Sequence, residues 1–125
     1  VKQLGGARVI GTHDYHINVL PSADGLVVVQ ASGEIDVTGS VTFRDRLFAL
    51  LDERADRLVI DLSNVAYVDT YALTALTDLE KRCRLEDRQL AIVCSEGSMR
   101  SALAATGLDK VVATFATLDE ALGHG

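Results

Sequence analysis

The apolar residues of this chain change period again and again, and that switching limits the folds open to it more than any other feature. Tyr15, Ile17 and Val19 alternate with His16 and Asn18, the period-2 signature of a half-exposed edge strand. "PSADG" (21–25) supplies turn chemistry, since proline presets φ and glycine accepts positive φ. "LVVVQA" (26–31) is a continuous β-branched run and predicts a more central strand. From Thr38 the period is helical. Val41, Phe43, Leu47, Leu50 and Leu51 fall on one face, Arg44, Asp45, Asp52 and Glu53 lie largely outside it, and Thr38 or Ser40 is placed to cap the start. "RLVIDL" (57–62) predicts a buried strand that leads into a polar turn. The helical period returns at Thr70, where Ala72, Leu73, Leu76, Leu79 and Cys83 share a face. "QLAIVC" (89–94) is the next strand, and "SMRSALAATG" (98–107) is a short helix with Ser98 as its expected cap and Gly107 as its C′ residue. "KVVATF" (110–115) is the last strand and "TLDEALGHG" (117–125) a terminal helix.

The resulting order is β-β-α-β-α-β-α-β-α. Strands that alternate with helices require parallel pairing and right-handed crossovers. If consecutive strands are neighbours, every crossover helix lands on the same side of the sheet. The expected fold class is therefore α/β: a mixed, mostly parallel sheet with helices packed on one face. The other face is expected to be more polar or to carry the N-terminal segment. Residues 1–14 hold three glycines and little pattern, and are read as a loose segment ahead of one domain over 15–122.

Composition sets the kind of core and removes several functions. Hydrophobic residues make up 48% of the 125 but aromatics only 5%, so the core is aliphatic. The formal net charge of −6 argues against nucleic acid as a partner, because phosphate binding needs clustered Lys and Arg. No apolar run approaches the roughly 20 residues of a membrane span, and no secretory h-region is visible, so a cytoplasmic protein is expected.

The usual marks of catalysis are missing. There is no GxGxxG, P-loop or GxSxG pattern, and no cofactor is expected. His13, His16 and His124 pair with no Cys or carboxylate at zinc spacing, so no metal is expected either. Cys83 and Cys94 read as two small, buried, reduced hydrophobes. Glu34, Asp36, Asp61 and Asp69 lie near the C-terminal ends of predicted strands, where α/β folds bind ligands. Acids in those places also cap the helices that follow. The stretch "YVDTYALTAL" (67–76) sharpens this choice. Asp69 and Thr70 sit where a helix begins and either can cap it. A hydroxyl at a helix N-terminus is equally a good place for a phosphate. Physical chemistry alone leaves both readings open.

Four features occur in order along the chain. A strand ends in "GEID" (33–36), and a helix follows with Phe43, Leu47 and Leu51 on one face. "LVIDLSNVAYVDT" (58–70) is similar to a strand–turn–Asp–Ser/Thr signature, and "ALAATGLDKVVATFATLDEAL" (102–122) to a helix–Gly–Leu–strand–helix close. Together they resemble the STAS domain of the anti-sigma-factor-antagonist, or anti-anti-sigma, family. The resemblance implies a non-enzymatic protein that binds an anti-sigma serine/threonine kinase and so frees a sigma factor. It implies that the kinase inactivates it by phosphorylating the residue after the Asp, here Thr70 after Asp69. It places Gly33, Glu34, Ile35 and Asp36 beside that residue, with Asp69, Thr70 and Tyr71, on the partner-facing surface. Where family members carry a second hydroxyl and then Gly-Leu-Gly, this chain reads Tyr71, Ala72, Leu73 and Thr74. A Thr after the Asp also resembles the stressosome branch. A stressosome-type STAS component and a ligand-binding STAS module are the alternatives.

Overall fold

The computed structural model describes residues 15–21, 23–36, 39–53, 55–95 and 97–124. Its strands are β1 (Tyr15–Pro21), β2 (Leu26–Ile35), β3 (Arg57–Val68), β4 (Gln89–Val93) and β5 (Ala113–Phe115). They stand side by side in chain order, β1 antiparallel to β2 and the rest parallel. Helices α1 (Ser40–Asp52), α2 (Thr70–Leu85) and α3 (Ser98–Thr106) make the crossovers, and α4 (Leu118–His124) follows the last strand. The β1–β2 turn uses two consecutive left-handed residues, Asp24 at φ 67° and Gly25 at φ 79°. The Gly25 carbonyl then accepts a hydrogen bond from the Asp56 amide at 2.9 Å, which ties the turn to the start of β3.

The three crossover helices share one face, as sequential strand order demands. Val29, Ala31 and Ile35 of β2 and Leu58, Ile60 and Leu62 of β3 meet Phe43, Leu47 and Leu51 of α1 in the main core. Ala72, Leu76, Leu79 and Cys83 of α2 and Leu103 of α3 complete it. α4 departs from this arrangement. It feeds no further strand, so the crossover rule does not bind it, and Ala121 and Leu118 pack on the opposite face against Val28, Val59, Ala91 and Val93. The unbroken apolar runs of β2, β3 and β4 make this possible, since they put hydrophobes on both faces. Arg57 Nη2 donates to the Ala121 carbonyl at 2.7 Å. A reciprocal cap opens α4: the Glu120 amide donates to Thr117 Oγ1 at 3.2 Å and the Ala116 amide to Glu120 Oε1 at 3.1 Å. Over β1 the outer face exposes Leu20 as well as His16 and Asn18, and over β2–β4 it is apolar, so the face expected to be the more polar one is polar only in part. The expected N-terminal covering, residues 1–14, lies outside the described residues.

β3 is twice as long as the expected strand. Its "SNVAYV" half is strand rather than turn. Register against β2 shifts twice: Gln30 pairs with Asp61 but Ser32 with Asn64, and Gly33 pairs with Val65 but Glu34 with Tyr67. Each shift inserts one extra residue into β3, the arrangement of a β-bulge, which bends and twists a strand. The positions that join the main core accordingly step from 58, 60 and 62 to 65 and 68, while Ser63, Asn64, Ala66 and Tyr67 are exposed. Asp61 is thus in mid-strand and buried, not at a strand end. Its Oδ1 accepts from the Ser63 amide at 2.9 Å and its Oδ2 from Gln30 Nε2 at 3.5 Å.

Three helix-end details also differ from expectation. α1 is capped by Gly39 rather than Thr38 or Ser40; Ser40 is buried in the first turn and Thr38 lies outside the described residues. Gly97, not Ser98, precedes α3, at φ 132° and with no side-chain capping bond. Val41 is 49% exposed and leaves the inner face of α1 to Phe43, Leu47 and Leu51. Gly107 does end α3 in the left-handed region, at φ 77°.

Cys83 and Cys94 are free and buried. Burial pushes the Cys83 thiol above its ordinary value, so little thiolate is present at neutral pH. The neutral form is the one the fold favours. Its contribution to stability is fully present below the ordinary thiol pKa and is lost as pH rises through the folded-state value. In the native protein at neutral pH both thiols are expected to resist a thiol reagent for as long as the protein stays folded, and to react at once in denaturant. Fast native labelling at either site, read by mass spectrometry, would contradict this.

Candidate functional site

β2 and β3 end beside each other, and each hands the chain to a helix. Glu34 pairs with Tyr67 and Ile35 with Val68. The Asp69 amide then donates to the Ile35 carbonyl at 2.9 Å, so the last tie of the ladder sits at the helix junction. Asp69 is the N-cap of α2. Its backbone is extended (φ −85°, ψ 175°), its Oδ1 accepts from the Ala72 amide at 2.8 Å, and its carbonyl accepts from the Leu73 amide at 3.1 Å. An Asp ahead of an apolar helical run does this because the first-turn amides have no partner within the helix. Thr70 is consequently the first residue of α2, and it is exposed. Tyr71 follows at 46% exposure, Ala72 is buried beneath them, Leu73 is half-buried and Thr74 is exposed.

The neighbouring junction is built from backbone. The Asp36 carbonyl accepts from the amides of Gly39 at 2.9 Å and Ser40 at 2.7 Å, and α1 begins there. Gly33 lies at the second bulge with φ 95°, a conformation that disfavours any residue with a Cβ. Glu34 is exposed and Asp36 half-buried. Ile35 does not belong on a partner-facing surface. Its side chain is fully buried among the core residues of α1 and α2, and only its carbonyl reaches the junction. The physical reason is strand alternation, which turns residues 34 and 35 to opposite faces. The remaining expected residues come together: Gly33, Glu34 and Asp36 at one strand end, Asp69, Thr70 and Tyr71 at the next.

Chemically, this is a hydroxyl held at a helix N-terminus beside a carboxylate that is already engaged as a cap. A helix N-terminus favours added negative charge, so a phosphate on Thr70 would meet a favourable field from the helix it begins. Among the described residues no group of three or more His, Cys, Asp or Glu could hold a metal ion. No described helix is long and apolar enough to cross a membrane.

Tyr67 went unrecognised in the sequence. It is 52% exposed and stands opposite Glu34. Leu62, Val65 and Val68 are three apart, a spacing that becomes that of a bulged strand, with Tyr67 on its outer side, only once the pairing with β2 is known.

An α/β domain of this topology, with Asp69 and Thr70 at this junction, is a STAS domain. The chain belongs to that family, whose model matches residues 19–121. It is 28% identical over 121 residues to a Mycobacterium tuberculosis protein named as a candidate anti-anti-sigma factor, covering 90% of this chain and 79% of that one. It is 30% identical over 96 residues to a STAS-domain containing protein of Pseudomonas aeruginosa, covering 76% and 94%. Among solved structures, an anti-sigma factor antagonist from Mycobacterium paratuberculosis superposes with a TM-score of 0.81 at 29% identity, covering 89% of this chain and 93% of that one. The Bacillus cell fate determinant SpoIIAA in its phosphorylated form shares the fold, with a TM-score of 0.70 at 14% identity over 87% and 98% of the two chains.

Proposed function

We propose that this STAS domain is an anti-anti-sigma factor. It binds an anti-sigma serine/threonine kinase, frees a sigma factor in the cytoplasm, and is switched off by phosphorylation of Thr70. The observation that carries this reading is the exposed Thr70 at the first position of α2, directly after a capping Asp69. The similarity to an anti-sigma factor antagonist over nearly the whole of both chains supports it. So does the occurrence of the same fold in SpoIIAA in phosphorylated and unphosphorylated forms.

The docking surface is Gly33, Glu34, Asp36, Asp69, Thr70 and Tyr71, with Ile35 supporting it from within. Tyr71 is the anchor, because exposed aromatics carry a large share of interface energy. The domain supplies only the acceptor. Thr70 Oγ1 attacks the γ-phosphorus of ATP bound to the kinase, the bond to the ADP oxygen breaks, and the hydroxyl proton passes to a base of the kinase. No cofactor of its own is needed.

The test uses the anti-sigma serine/threonine kinases encoded in the source genome, each purified and incubated with this protein and ATP. Peptide mass spectrometry is expected to find one phosphate, on Thr70, from one of them, and none in Thr70→Ala. Phosphate confined to Thr74 or Tyr71, or absent with every kinase, overturns the proposal.

A further inference from the structure

β3 outruns its neighbour. Asp61 pairs with Val93, the last residue of β4, and β3 continues to Val68 with α3 packed beside the extension. Between them lies a groove of about 230 Å³ lined by Ala66, Val68, Met99 and Ala102, with Tyr67 and Ser98 as its two hydroxyl-bearing residues. Small-molecule pockets run to about 300–1,000 Å³ and carry several converging polar groups, so this groove is sized and lined for an apolar side chain instead. It adjoins the phosphoacceptor: Val68 immediately precedes Asp69, and Tyr67 stands opposite Glu34. A kinase that brings ATP to Thr70 must cover a patch around it, and a stable interface buries roughly 800 Å² on each partner. A patch of that size centred on Thr70 takes in the groove.

We infer that the groove between β3 and α3 is a second anchor point for the anti-sigma kinase, receiving an apolar side chain. This rests on the Thr70 reading. Tyr67, 52% exposed, forms the wall that meets the incoming side chain, and Tyr71, exposed next to Thr70, engages the kinase directly. Two exposed tyrosines, one before and one after the acceptor in sequence, hold the kinase in register without using charge that phosphorylation will oppose.

The experiment is calorimetric titration of the kinase that phosphorylates the wild type, against three variants. Ala102→Phe fills the groove, and Tyr67→Ala removes its exposed wall without inserting bulk, so a folding defect in the first leaves the second informative. Leu85→Ala alters a side chain that is 75% exposed at the far end of α2 and serves as control. Ala102→Phe and Tyr67→Ala are each expected to weaken binding by about tenfold or more, the scale of losing one interface anchor. Leu85→Ala binds like wild type, and Thr70 is still phosphorylated in every variant at saturating kinase. If both groove variants bind like wild type while Thr70 is phosphorylated, the groove lies outside the interface and the Thr70 reading stands. If no kinase binds or phosphorylates the wild type, both inferences fall together.

Discussion

Thr70→Asp is expected to weaken binding of the anti-sigma kinase by more than about 100-fold while leaving the melting temperature nearly unchanged. The two halves of that result have one physical origin. In the free domain a carboxylate at position 70 stands at the N-terminus of α2, where the helix field favours it, and residue 70 is exposed. Surface changes of this kind fall within about 0.5 kcal/mol of neutral. In the complex the same carboxylate is covered beside Asp69, whose own Oδ1 is already committed to the Ala72 amide. Two neighbouring anions under a desolvated partner surface, with one unpaired, cost about 3 kcal/mol or more. That is a factor above roughly 100 in affinity. A phosphate carries about −1.5 to −2 charge and acts in the same direction. Thr70→Ala adds no charge and is expected to bind like the unphosphorylated wild type, in every condition and regardless of ATP. Isothermal titration of the three proteins, with a thermal melt of each, reads the prediction. Wild-type affinity in Thr70→Asp would show that residue 70 is a helix residue and not the switch.

The parts of this architecture that were legible in the sequence are those whose cause is local. Asp69 announces itself because an acid ahead of an apolar helical run satisfies first-turn amides wherever it occurs, and the structure holds it as an N-cap. Element order followed from the alternation of periods, and the common face of α1, α2 and α3 followed from crossover handedness once consecutive strands were taken as neighbours. What was hidden depends on neighbours. The second half of β3 looks like a turn because its period of two is broken. It is broken by bulges, and a bulge exists only relative to the partner strand β2. α4 has no crossover to fix its side, so nothing local distinguishes the two faces of the sheet for it. The resemblance groups Ile35 with Glu34 and Asp36 because it carries "GEID" over as one turn, whereas in a strand adjacent residues point apart. Its burial and its carbonyl bond to Asp69 put it beneath the proposed docking surface, not on it.

Phe43→Ala is expected to destabilise the domain by about 3–5 kcal/mol, the cost of removing a buried aromatic from a core that cannot fully close around the space. Phe43 is fully buried, the largest of the inward residues of α1, and it packs in the same cluster as Ile35, Leu62 and Leu76. Against a total stability of about 5–15 kcal/mol for an ordinary domain, the loss is a large share. The urea midpoint should fall sharply with an unchanged slope, since the surface exposed on unfolding is nearly the same. Val41 makes the decisive comparison. Helical periodicity groups it with Phe43, yet the structure leaves it 49% exposed, so Val41→Ala is expected to cost no more than about 0.5 kcal/mol. The pair therefore measures the rotation of α1 about its own axis. Equal costs would mean that α1 presents a different face to the sheet, which would also move its first turn, where the Asp36 carbonyl receives Gly39 and Ser40. A large cost at Phe43 with a negligible one at Val41 fixes that first turn beside the N-terminus of α2. The proposed docking surface requires the same placement, because Asp36 and Thr70 can meet one partner only if both helices start from neighbouring strand ends.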